Sequence, residues 1–139
     1  MLQDLLKYIE DNTSLEIGVS LFYGFFPAKT MAGGEVRERA TRAQETGGPE
    51  YPDLVDRADM AINFISRAKE YEDAKADSYE IHNLLHGLTG IKLPLFDGSS
   101  GCNYVAMEIE ASSVPGYLEE DENGRHVFSL NIVARVRDK

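Results

Sequence analysis

A chain of 139 residues and 15.5 kDa makes one ordinary domain, which can bury roughly two-thirds of its unfolded surface without a disulfide or metal staple. Its 24 acids against 14 bases give a formal charge of −10, which repels phosphate backbones and disfavours a free-standing nucleic-acid binder; Arg37, Arg39 and Arg42 form the one local basic cluster. Cys102 is the only cysteine, so a disulfide scaffold is excluded; no stretch approaches the roughly 18 apolar residues of a membrane span, and the acids in MLQDLLKYIEDN do not suit a secretory signal, which predicts a cytoplasmic chain.

Leu2, Leu5, Leu6 and Ile9 recur at helical spacing and predict a surface helix over residues 2–11. The period then changes: Ile17, Val19, Leu21, Tyr23 and Phe25 alternate with Gly18, Ser20, Phe22 and Gly24, as in a strand that stops before Pro27. Residues 28–56 read as a polar insertion, punctuated by Gly33-Gly34 and Gly47-Gly48-Pro49 around EVRERATRAQE. That charged stretch suits a helix or a polar strand equally, and an insertion this long is expected to be functional or mobile until bound.

Met60, Ile62 and Phe64 alternate with Asp59 and Asn63 and favour a strand over residues 58–68, since a helix would leave Met60 and Phe64 on its far side. Tyr71, Ala74, Ser78, Ile81, Leu85 and Leu88 form one helical stripe over about five turns, stopped by Gly87 and Gly90. Val105, Met107, Ile109 and Ala111, then Phe128, Leu130, Ile132, Ala134 and Val136, alternate with polar or small residues as the two strands of a hairpin. The intervening SVPGYLEEDENGR reads as a long acidic loop with Pro-Gly and Asn-Gly turns, on which Tyr117 and Leu118 are exposed candidates for contact. The expected fold is a single α+β domain spanning 1–139. It has a mainly antiparallel sheet of about four to five strands, with the N-terminal helix and the long helix packed on one face.

Catalytic templates fit poorly. His82 and His86 are four apart, but Asn83 stands where a zinc protease needs its glutamate. Cys102 lies in DGSSGCNY with no base identified for it, and that glycine-rich run lacks the Lys-Ser/Thr ending of a phosphate loop. Glu119, Glu120, Asp121 and Glu122 are consecutive, unlike the spaced ligands of a calcium loop. These observations predict neither a catalytic or metal site nor a cofactor.

Several segments in order carry a resemblance: Thr46-Gly47-Gly48-Pro49, then Ser66-Arg67-Ala68, the helix YEDAKADSYEIHNLL, and Ile109-Glu110-Ala111. After a serine-proline turn come Gly116-Tyr117-Leu118, Asp121-Glu122-Asn123-Gly124-Arg125 and His126-Val127-Phe128-Ser129-Leu130-Asn131. Over about residues 2–137 the chain resembles minor capsid proteins of tailed bacteriophages and prophages, a group similar to the tail-terminator, or tail-completion, proteins of the head–tail junction. The resemblance implies a structural virion component without enzymatic activity. It would assemble in the bacterial cytoplasm as a ring, a hexamer, that meets tail-tube and head-connector proteins. Ring contacts are heterologous, so the basic Arg37, Arg39 and Arg42 are expected to face Glu119, Glu120 and Glu122 of a neighbour, beside Tyr117 and Leu118. The competing readings are a non-viral adaptor that binds a protein partner, and a small metal- or thiol-dependent enzyme using His82/His86 or Cys102.

Overall fold

The computed structural model describes residues 2–24, 26, 39–47 and 57–138. Helix α1 (Leu2–Asn12) buries Leu2, Leu5, Leu6 and Ile9, the stripe that its 3.6-residue period lays on one face. Its last carbonyls are capped from within: the Asn12 amide donates to the Tyr8 carbonyl and the Thr13 hydroxyl to that of Ile9.

Strand β1 (Leu21–Tyr23) is much shorter than the alternation from Ile17 suggests. Gly18 takes φ +85°, and the Glu16 carbonyl collects the amides of Val19, Ser20 and Leu21, so residues 16–20 fold as a turn. Phe25 lies outside the described residues. Strand β2 (Ala40–Gly47) occupies part of the expected polar insertion and resolves its helix-or-strand ambiguity; the rest of that insertion is outside the described residues, save Arg39.

Strand β3 (Arg57–Ala68) is followed by α2 (Tyr71–Leu85), β4 (Leu88–Lys92), β5 (Tyr104–Ala111), β6 (Gly116–Glu120) and β7 (His126–Asp138). The helix stops sooner than its stripe implies because Gly87, at φ +86°, reverses the chain. Leu88, in phase with the helix, therefore opens a strand.

Among the described residues the sheet has seven strands, in the order β1-β2-β3-β7-β5-β4, with β6 also on β7. The fold is α+β as expected, but the count of four to five strands is corrected. Its pairing is mixed: β1 runs parallel to β2, while the other pairs are antiparallel. The extra strands β2, β4 and β6 lie where polar residues, a glycine stop and turn signals concealed them.

Register puts the core on one face. Ala43, Phe64 and Leu130 lie side by side across β2, β3 and β7, as do Met60 with Ala134 and Ile62 with Ile132 on β3 and β7. These residues, the apolar stripe of α1, and Ile81 and Leu85 of α2 form one buried cluster. Full burial of each large aliphatic side chain contributes about 1.5–3 kcal/mol. Two polar groups in this layer match each other: the hydroxyls of Thr41 and Ser66, both buried, bond at 2.8 Å.

Candidate functional site

The region between β5 and β7 is an added strand rather than an open loop. Strand β7 has 13 residues, and β5 pairs only with the half from Ile132 to Asp138. After a kink at residues 112–115, with the Ser112 amide on the Asn131 carbonyl, β6 takes up the other half beside residues 126–129. Strands β5 and β6 thus lie end to end along one side of β7. A register shift between Tyr117 and Glu119 leaves Leu118 as a bulge.

Asp121 locks the hairpin tip. Its Oδ1 accepts the amides of Asn123 and Arg125, both at 2.9 Å, and its Oδ2 accepts Arg125 Nε at 2.8 Å. Gly124, at φ +77°, closes the turn by donating its amide to the Asp121 carbonyl. Burial opposes ionisation of Asp121, but the two amides and the Arg125 guanidinium outweigh it and hold the carboxyl below the usual aspartate range. This acid is consumed internally and is unavailable to a partner.

A second lock is aromatic. Tyr71, at the start of α2, meets Tyr117, His126 and Phe128 with ring centroids 5.2–5.8 Å apart. The Tyr117 hydroxyl shares a hydrogen bond of 3.0 Å with His126 Nδ1. Partial desolvation, then the negative charge of Glu120, pushes the Tyr117 phenol above its ordinary pKa. The cluster ties β6 to the helix while leaving much of it in water: Tyr117 is 43% and Tyr71 40% exposed, with Leu118 at 56% and Val114 at 60% beside them.

All five residues of β6 are exposed. Among the described residues no ion pair or hydrogen bond reaches the side chains of Glu119, Glu120 or Glu122. Tyr117, Leu118, Glu119 and Glu120 thus stand on an exposed edge strand rather than in the expected loop, with Glu122 in the turn that follows. The basic set stands apart. Strands β3 and β7 separate β2 from β6. Arg39 Nε and Nη2 donate to the Asp77 carboxylate at 2.9 and 2.8 Å, with Asp73 3.5 Å from Nη1. The Asp77 hydrogen bonds raise the Arg39 pKa. Arg42 is half-buried, donates to Gln44 and has its pKa lowered by burial. Arg37 lies outside the described residues.

The other candidate chemistries acquire structural roles. His82 and His86 stack with centroids 5.2 Å apart, and His86 Nδ1 accepts the Ala111 amide, which fastens the end of α2 to β5. Among the described residues no group of three or more His, Cys, Asp or Glu could hold a metal, and no helix is long and apolar enough to cross a membrane. Cys102 is a half-buried free thiol. The Asp97 carboxylate accepts the amide and hydroxyl of Ser99, so DGSSG is a turn.

Sequence reasoning missed the β6 strand, the Asp121–Arg125 lock and Asp77. Asp77 stands three residues after Ala74 and four before Ile81, inside the helix stripe; that position was the available signal. A search of curated proteins found no match. The family model described as bacteriophage tail terminator protein matches residues 8–138.

Proposed function

This chain belongs to the bacteriophage tail terminator family, and on that premise we propose that it is a structural, non-catalytic component of a tailed phage or prophage that acts at the head–tail junction. The observation that carries the reading is the family match over residues 8–138, nearly the whole described domain. In this role six copies form a ring that contacts the end of the tail tube on one side and head-connector proteins on the other. The chain assembles in the bacterial cytoplasm and ends in the virion. Its charge of −10 suits a part that DNA must pass without adhering.

The contact surface we assign within this role is the β6 edge: Tyr117, Leu118, Glu119 and Glu120, with Glu122 at the turn. Arg39 is left out of it because Asp77 already holds its guanidinium. The test is electron microscopy of phage tails with gold-labelled antibody against this chain, together with native mass spectrometry of the tail-bound complex. Label confined to one tube end and a six-copy mass are expected. Label along the whole tube, or a single copy per tail, would overturn the reading.

A further inference from the structure

We propose that β6 is a docking edge to which a different virion protein adds one extended, lysine- or arginine-bearing strand. The inference rests on the proposed role only in taking the partner from neighbouring virion proteins; the recognition itself is argued from the edge.

Sheet edges in soluble domains are normally blunted, and two of the three here are. Strand β1 is three residues long, and the turn at 16–20 satisfies its outer side: Leu21 donates to the Glu16 carbonyl and accepts from Gly18. Strand β4 carries Gly90 at φ +65° and ends on exposed Lys92. Strand β6 has no covering turn and no positive-φ glycine; its Leu118 bulge and two exposed glutamates deter an acidic strand but not a basic one. It pairs only with β7 among the described residues, and because β4 covers only β5, a strand-wide lane lies open beside it. Five residues make that lane about 17 Å long, enough for one short added strand.

The lane is also preorganised. The Asp121 lock at one end and the Tyr71–Tyr117–His126 cluster along it hold β6 extended before any partner arrives, which lowers the ordering cost of binding. Main-chain hydrogen bonds would supply affinity, exposed Leu118 an apolar contact, and Glu119 and Glu120 the charge preference. Those two carboxylates meet no cation among the described residues, and side-by-side copies of β6 would repel through them. The edge strands that a second copy could add are also poor in cations: among the described residues β1 and β6 carry no Lys or Arg and β4 only Lys92. Charge complementarity therefore selects a basic strand from another chain.

The experiment uses the full chain and three capped decapeptides, built from five Lys-Val, five Glu-Val or five Lys-Pro repeats. Affinity is read by calorimetry and β6 amide exchange by NMR. The Lys-Val peptide is expected to bind at least about tenfold more tightly than the other two, and to slow exchange of the β6 amides that face away from β7. The paired substitution Glu119→Lys and Glu120→Lys, on exposed positions, should reverse the preference towards Glu-Val. Equal binding of Lys-Pro, which cannot add as a strand, would overturn the inference in favour of charge alone. So would Lys-Val binding that leaves β6 exchange unchanged, or no binding at all. Protection of β6 that rises with protein concentration and no peptide would identify a second copy as the occupant and refute the different-partner assignment. A tail-end label with any of these failures would retain the proposed role and discard only this edge.

Discussion

Asp77→Ala offers the sharpest test of how the polar segment around β2 is held to the core. Asp77 is 3% exposed, yet it lies on α2 facing the chain just before β2, where Arg39 closes a two-point contact on it. A fully exposed pair would contribute about 0–1 kcal/mol, and breaking a fully buried one costs about 3–5 kcal/mol. Here the carboxylate is buried but the Arg39 side chain is 49% exposed, which places the loss near the middle, at about 2 kcal/mol. For a domain of this size that lowers Tm by about 6 °C. Asp77→Asn keeps the shape and one acceptor, so about half the loss is expected. The assay is urea unfolding of Asp77→Ala, Arg39→Ala and the double variant, with a coupling energy of about 1.5 kcal/mol expected. Coupling below about 0.3 kcal/mol would refute the argument, since the two side chains would then be stabilised independently.

Three further outcomes follow from single contacts. The Ser78 hydroxyl is buried with no hydrogen-bond partner among the described residues, so Ser78→Ala should be neutral or stabilising by up to about 1 kcal/mol in urea unfolding; a loss larger than that would reveal a missed partner. Because His86 Nδ1 accepts the Ala111 amide, the neutral ring should carry its proton on Nε2, and a nitrogen–proton correlation spectrum showing an Nδ1-protonated ring would contradict the docking of α2 on β5. The Asp121 carboxyl sits below its unfolded value near about 3.9, so its stabilisation of the turn is present above that pH and is lost as pH falls through the lower folded value. Amide exchange at Asn123 and Arg125 should therefore accelerate in strong acid, and Asp121→Asn should abolish that pH dependence; an unchanged profile in the variant would exclude Asp121 as the lock.

The elements readable from the sequence were those whose apolar residues one period buried better than the other. Leu2, Leu5, Leu6 and Ile9 permitted only a helix face, and Met60, Ile62 and Phe64 were better placed by a strand than by a helix; both sets are buried as their period requires. Strand β4 was hidden because Leu88 continues the α2 stripe numerically, and only the backbone reversal at Gly87 separates the two. Strand β2 was left open because its buried positions, Ala40, Thr41 and Ala43, are small and its other positions before Gly47 charged or polar. Strand β6 has no buried residue to set a period. It exists because β7 overruns β5 and offers vacant pairing positions, a tertiary fact with no local signature. The same cause concealed their setting: Tyr117, Leu118, Glu119 and Glu120 were assigned to a loop but lie on a strand.

The position of that surface also explains why the open sheet face is the weaker candidate for association. Opposite the helices, Asn63 donates to Ser129 and Asn131, while the Arg135 guanidinium reaches both Asp59 and Glu108 across three strands. Arg67 lies over the Phe26 ring at 3.8 Å. The Asn63 and Arg135 groups are already matched, so covering the face would require desolvating paired groups for little new bonding. At β6 the balance is reversed. The outward main-chain groups and the Glu119 and Glu120 carboxylates have no partner among the described residues, and Leu118 is already in water. A strand added there gains hydrogen bonds, charge pairing and apolar contact without breaking any contact among the described residues, which makes the edge, rather than the face, the energetically favoured place for this domain to join another.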